Sequence, residues 1–375
     1  MTGDLQSRNK KAKPMDTKKQ KEHPLISFFR LIVLPRYQVI FVVLLTAILT
    51  GLFITSFRQF VAFEVKPEMY PLSPQELEVN AKHSTLVQAG LHINNFSEFD
   101  IRTNSFTFGG ILWFVFDKST ISIEQIEHFS FSRGTILEKS EPEIKFIDDN
   151  CFAQYNIRVQ FKADINQKYF PFDDHRLYIE LVNKFVSPQE LVFDASLTSF
   201  LLSDNILIIG WRPIDRAVQT GFGLSVLDTA DPAKNVYHPK VLFSIDFRRN
   251  GIQDILLIFL PLCLLIFICF FSLGFDPPES SVRILNLSLA SITGLITYRF
   301  VLQNMTPQVG YFILSDCFFL LFLAFTFIAF CTGLIVIRVD KITPFLIVLR
   351  GVVYVCSNIA IVGFTIYFLF YWPYA

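Results

Sequence analysis

ILLIFLPLCLLIFICFFSLGF, Ile255 to Phe275, runs 21 residues between Asp254 and Asp276 without a charge. A helix rises 1.5 Å per residue, so about 20 residues cross a hydrocarbon core of roughly 30 Å, and this stretch reads as a membrane span. Outward from it, the same pattern recurs at Tyr37–Phe57 (between Arg36 and Arg58), at Cys317–Ile337 (between Asp316 and Arg338) and at Gly351–Ala375. A fifth candidate, Ile284–Leu302, contains Arg299 and is rich in Ser, Thr and Asn. Polar groups on a span point to a wet surface rather than to lipid.

Composition agrees with lipid contact. Charged residues are 18% of the 375, hydrophobic ones 52%, and 43 are Phe. Mean hydropathy is +0.43, whereas soluble domains carry roughly 25% charge. The 33 basic and 33 acidic residues cancel, so there is no basic footprint and no nucleic-acid partner is expected. The six Cys form no disulfide framework: Cys151 is alone in 58–250, and the other five fall within the spans.

Residues 1–36 hold nine Lys and Arg against three Asp and Glu. By the positive-inside rule this basic tail stays cytoplasmic, 37–57 is an anchor, 58–250 lies outside, and 251–375 forms four further spans. A cleaved signal peptide is the competing reading of 37–57. It fits less well, because the apolar core exceeds the usual 7–15 residues and no small-x-small site precedes Arg58.

The segment 58–250 reads as β. Ile157, Val159, Phe161 and Ala163 alternate with Arg158, Gln160 and Lys162, and Leu177, Ile179, Leu181 and Val241, Phe243, Ile245, Phe247 repeat the period of two. Turn signals at Gly109-Gly110, Arg133-Gly134, Ser187-Pro188, Asp231-Pro232 and His238-Pro239 separate such runs. The expectation is an antiparallel β-sandwich joined to an α-helical bundle of four C-terminal helices and one extra N-terminal helix.

Enzyme chemistry finds little support. Asp173, Asp174 and His175 are adjacent, and neighbours on an extended chain point to opposite sides, which makes a poor metal chelate. Gly221-Phe-Gly-Leu-Ser-Val lacks the third glycine of a dinucleotide loop and sits among strands. Neither an enzyme nor a cofactor is expected. More informative are Asn286, Ala290, Thr293, Thr297, Phe300 and Asn304, spaced four, three, four, three and four apart on one helical stripe, beside an apolar stripe of Leu285, Leu289, Ile292 and Ile296. Such a stripe lines a pore formed by several copies, or it glues helices together through hydrogen bonds. In the pore reading Phe300 forms a hydrophobic constriction.

At Phe170-Pro-Phe-Asp-Asp-His-Arg-Leu-Tyr-Ile-Glu-Leu181 the chain resembles the pentameric ligand-gated ion channel (Cys-loop receptor) superfamily, whose signature is a Phe-Pro-Phe-Asp turn before an alternating strand. Leu91–Asn95 with Phe106–Asp117 looks like the family's first two strands, and Gly210-Trp211 like its Gly-Trp. Arg248-Arg249 stands before Pro261 like the basic pair and proline of its first helix, and Asn304-Met-Thr-Pro307 with Tyr311 and Asp316 resembles the loop after its pore helix. The resemblance covers about residues 75–372, in order. Two features depart from the usual pattern but fit bacterial members: no Cys pair flanks the turn, and the loop at 338–343 is short. The span at 37–57 is not a usual family feature.

The resemblance implies a homopentamer in a bacterial inner membrane, gated by a small-molecule agonist and passing inorganic ions. It places the agonist among Phe116, Phe131, Phe185 and Tyr237, where aromatic faces hold a cation with about 0.5–2 kcal/mol each. It makes Asp173 and Arg249, with Pro307, the link from β-domain to pore. Rings of Glu279 or Arg283 at the pore mouth would favour cations or anions respectively, and the choice stays open. The rival readings are a non-conducting, membrane-anchored β-domain that senses or binds a solute, and a transporter. No internal repeat supports the transporter.

Overall fold

The computed structural model describes residues 23–57, 60–72, 84–100, 103–147, 150–163, 165–250, 253–276, 280–306, 309–339 and 343–372. Glu279, Pro307 and the basic run before residue 23 lie outside the described residues.

Two helices come first among the described residues. α1 (Pro24–Val33) and α2 (Pro35–Phe57) are separated at Leu34, which is extended at φ −60° and ψ 135°. Pro35 offers no N–H and its ring disfavours the helical region for the residue before it, so the break is local in origin. α1 falls inside the segment that the charge count assigns to a tail. α2 buries one narrow line, Gln38, Leu45, Leu49 and Ser56, while Val39, Ile40, Val43, Leu44 and Ile48 remain exposed as a surface suited to lipid.

Four helices come last among the described residues: α4 (Gln253–Ser272), α5 (Ser281–Met305), α6 (Leu314–Ile337) and α7 (Pro344–Ile366), the last continuing into a π-helical turn at Tyr367–Tyr371. α7 starts where Thr343 Oγ1 accepts the Leu346 N–H at 3.4 Å and Pro344 takes the first helical position. Among the described residues five helices, α2 and α4 to α7, are long and apolar enough to cross a membrane. A short helix, α3 (Ile123–Glu127), interrupts the strands and is held by a Ser122–Gln125 capping box.

Between the helices, twelve strands among the described residues form two sheets. The first runs β1 (Tyr70–Pro71), β11 (Trp211–Ser225), β12 (Val236–Arg249), β8 (His175–Asn183) and β4 (Phe129–Ser132). The second runs β10 (Phe200–Leu202), β2 (Thr85–Asp100), β3 (Ser105–Asp117), β7 (Asn150–Lys162) and β5 (Gly134–Lys139). It also takes β6 (Glu143–Ile147) on β7 and β9 (Leu191–Asp194) on β2. The sheets share an apolar core in which Phe106, Phe108, Phe114, Phe161, Phe200 and Phe243 are fully buried.

The expected antiparallel sandwich is not what forms. β9 and β10 both pair with β2 in parallel, Thr85 opposite Leu191 and Phe200 opposite Leu91, so the second sheet is mixed and the region is β-rich without being a clear sandwich. Alternation reports which side of a strand is buried, not the direction of its partner. The chain after β8 returns to the first long strand from the same end, and no residue pattern announces that.

β1 is short but closely fitted. Tyr70 pairs with Phe222 and Pro71 with Gly221, and the Leu72 N–H donates to the Thr220 carbonyl at 3.0 Å. A Cβ at Gly221 would overlap the carbonyl oxygen of Tyr70. Gly221→Ala should therefore detach β1, seen as faster deuterium exchange at Leu72. Unchanged protection would show that the edge tolerates a side chain.

Candidate functional site

α5 carries polar residues on two faces, and they behave differently. At about 100° per residue, Ile284, Ser288, Ser291, Leu295 and Leu302 cluster on one side, and all five are buried. On that side Ser288 meets Ser272 of α4 at 2.8 Å, Ser291 donates to the Leu265 carbonyl at 2.6 Å, and Tyr298 donates to the Leu257 carbonyl. The helix-gluing role thus falls to Ser and Tyr.

Asn286, Ala290, Thr293, Thr297, Phe300 and Asn304 lie within about 40° of a line on the opposite side. All six are exposed, Phe300 at 66%. Among the described residues, none of the Asn and Thr side chains in this stripe has a hydrogen-bond partner. To one flank sit exposed Leu285, Leu289 and Ile296. Arg283 is exposed on the first turn. Arg299 points elsewhere: its guanidinium pairs with Asp316 of α6 and lies 5.4 Å over the Phe319 ring. The charge inside the fifth span is thereby neutralised within the bundle, away from the polar stripe.

Where the β-rich region meets the helices, a buried charge cluster forms. Arg249, the last residue of β12, bonds Asp173 at 2.9 Å and Asp254, in the first turn of α4, at 3.2 Å. Its guanidinium also lies 4.4 Å over Trp211 and 5.0 Å from the Phe170 ring. His175 stands between two carboxylates, Nδ1 at 2.6 Å from Glu64 and Nε2 at 3.2 Å from Asp173. Asp174 holds backbone instead: its Oδ1 accepts the Arg249 N–H at 3.1 Å and its Oδ2 accepts the Val61 N–H at 3.3 Å.

The electrostatics follow from this geometry. Burial alone would lower the His175 pKa, but the carboxylates of Asp173 and Glu64 outweigh it and raise it to about 9, so the imidazole is cationic at neutral pH. Burial pushes Asp173 up, and Arg249 and His175 together bring it below the usual carboxylate range. Asp174 is pushed up to about 6, chiefly by burial, with its two backbone N–H donors acting against the rise. Adjacent as they are, Asp173, Asp174 and His175 serve three different partners. Among the described residues no group of His, Cys, Asp or Glu is arranged to hold a metal ion.

The four aromatic positions divide. Phe116 (2% exposed) and Phe131 (5%) belong to the core of the two sheets, Phe131 edge-on to Phe108 and Phe161, so their rings are taken up by packing. Phe185 (74% exposed) stacks on His128 with centroids 4.2 Å apart, and Tyr237 (46%) lies edge-on to Tyr70 at 5.8 Å. Phe185 follows the end of β8 and Tyr237 begins β12, its partner strand, so both lie at the end of the first sheet away from Arg249. Three residues along β12 from Tyr237, Lys240 makes a buried 2.5 Å pair with Glu180.

Asp173 and Arg249, 76 positions apart, are brought together in one ion pair. Reasoning from sequence missed Glu64, Asp254 and Tyr70. None lies in a motif, and each gains its role from a neighbour far along the chain. The chain matches no protein-family model and no curated protein.

Proposed function

We propose that the chain is one subunit of a homopentameric ligand-gated ion channel of the bacterial type, with α5 lining the pore. The observation that carries this reading is the division of α5. Its buried Ser and Tyr groups bond inside the subunit, while the Asn and Thr stripe on the opposite face has no partner among the described residues and calls for water. Exposed Leu285, Leu289 and Ile296 beside the stripe supply an apolar flank for a neighbouring copy. Agonist binding near Phe185 and Tyr237 would favour one arrangement of the β-rich region, passed to α4 through Asp173, Arg249 and Asp254 as a population shift. The basic N-terminal segment orients the chain with the β-rich region outside the cytoplasm. A protease added to spheroplasts then cuts its loops and spares an N-terminal tag.

Planar bilayers test conduction directly. Cysteines placed along 286–304, with the native ones replaced, should react with a water-soluble thiol reagent at 286, 290, 293, 297 and 304 and block current. Protection at those positions, with reaction at 284, 288 and 291, would retire the pore assignment. Phe300→Ala should raise spontaneous opening, because five phenyl rings one turn below Asn304 form the constriction that sheds water. Unchanged currents would place the gate elsewhere. An intact particle that never passes current leaves the membrane-anchored sensor as the better reading.

A further inference from the structure

α2 does not stand apart from the molecule. Phe53 packs on Phe172 of the junction turn at 5.5 Å, on Phe259 of α4 at 4.9 Å and on Phe318 of α6 at 6.4 Å. Gln38 donates to the Phe270 carbonyl at 3.2 Å, and Ser56 meets the Tyr169 hydroxyl at 3.3 Å. A cleaved leader or a passive anchor needs none of these contacts.

The chain that leaves α2 then joins the β-rich region from end to end. Phe60 lies 5.8 Å from the Arg176 guanidinium, and Val61 exchanges two bonds with Asp174, the Asp174 N–H donating to its carbonyl at 2.8 Å. Glu64 takes the His175 ring at 2.6 Å with one oxygen and accepts the Arg176 N–H at 3.2 Å with the other. Farther on, the Glu68 carbonyl accepts from Lys240 at 2.9 Å, and Tyr70 pairs with β11 and packs on Tyr237. One continuous segment, 60–72, thus touches the charge cluster at one end and the exposed aromatic pair at the other.

We propose that α2 is a retained working helix and that Phe60–Leu72 is a tether linking the Tyr70–Tyr237 end of the β-rich region to the membrane bundle, with Glu64 the positioning residue that holds His175 against Asp173. The role at the junction rests on reading Asp173, Arg249 and Asp254 as the coupling point; the tether itself does not depend on conduction. Mechanically, Glu64 occupies the ring nitrogen opposite Asp173, so the imidazole cannot rotate away. It also supplies the second negative charge that keeps the ring protonated among Asp173, Arg249, Arg176 and the Trp211 face, which lies 4.9 Å from it.

The test uses the full-length protein in detergent and follows the His175 imidazole by NMR with isotope-labelled histidine. Glu64→Gln should lower its titration midpoint by at least one pH unit, and Glu64→Asp should restore most of the shift, which a role in packing alone would not produce. A site-specific protease sequence inserted after Lys66, where Val65 and Lys66 are exposed, gives a second arm. Cutting there should lower the same midpoint and speed deuterium exchange at Leu72. An unchanged midpoint in both Glu64→Gln and the cut protein, or a mature N-terminus found between residues 55 and 65, overturns the tether. Bilayer recordings separate the two readings: shifted titration with no current from the intact protein keeps the tether and retires the channel. Normal currents with an unshifted titration do the reverse.

Discussion

Asp173→Ala is expected to leave little or no assembled protein. The substitution strips a partner from two buried cations at once, the Arg249 guanidinium and the His175 imidazolium, both packed against Trp211. Removing one member of a buried pair typically costs about 3–5 kcal/mol, a large share of a margin of roughly 5–15 kcal/mol. Asp173→Asn, which keeps the shape and one acceptor, should fall in between. A double-mutant cycle with Arg249→Gln should give a coupling energy of about 1 kcal/mol or more, and additive effects would show that the side chains act independently. A charge-swapped pair, which an isolated two-residue bridge would accept, should fail here. The arginine placed at 173 would face His175, and the aspartate placed at 249 would face Asp254. Yield of monodisperse particle and melting temperature in detergent measure each step.

Alkaline pH should weaken the same junction. The folded protein holds the His175 proton up to about 9, against 6.5 for an ordinary histidine. The folded state therefore binds the extra proton in that window, so the stabilisation is complete below about 6.5 and is lost as pH rises toward 9. A shift of this size corresponds to ~3 kcal/mol at 1.36 kcal/mol per unit. Asp174 behaves in the same sense lower down: its pKa is raised from 3.8 to about 6, so its contribution is present in acid and disappears between those values. Asp173, with a lowered pKa, runs the other way and loses its contribution only in strong acid. Melting temperature should thus decline from pH 6.5 to 9, and His175→Gln should lower the starting value and flatten the decline. An identical slope in that variant would assign the alkaline loss to another group.

Several parts of this molecule were legible in its order of residues. Uncharged runs of about 20 residues mark helices that must satisfy their own backbone in lipid, and α2, α4 and α6 fall on them. The period of two in β7, β8 and β12 marks strands with one buried side, and the steps of four and three in α5 put Asn286 and Asn304 on one face. These are local properties, because hydrophobic periodicity is written along a single element. The Asp173–Arg249 contact was legible only through resemblance, since nothing local joins residues 76 positions apart.

What the tertiary structure alone decided concerns partners. Parallel pairing of β9 and β10 with β2 depends on where a connection returns, and a strand's own residues leave its direction free. With 43 Phe in the chain, type could not separate the core rings Phe116 and Phe131 from exposed Phe185, because burial is set by the facing sheet. Arg299 stands inside a span with no partner written beside it in the chain, and only the packing of the next helix shows that Asp316 neutralises it. Glu64 carries no signal of its own; it matters because α2 and the segment after it bring a carboxylate to a histidine 111 residues away, and a buried charge takes its meaning from the charge opposite.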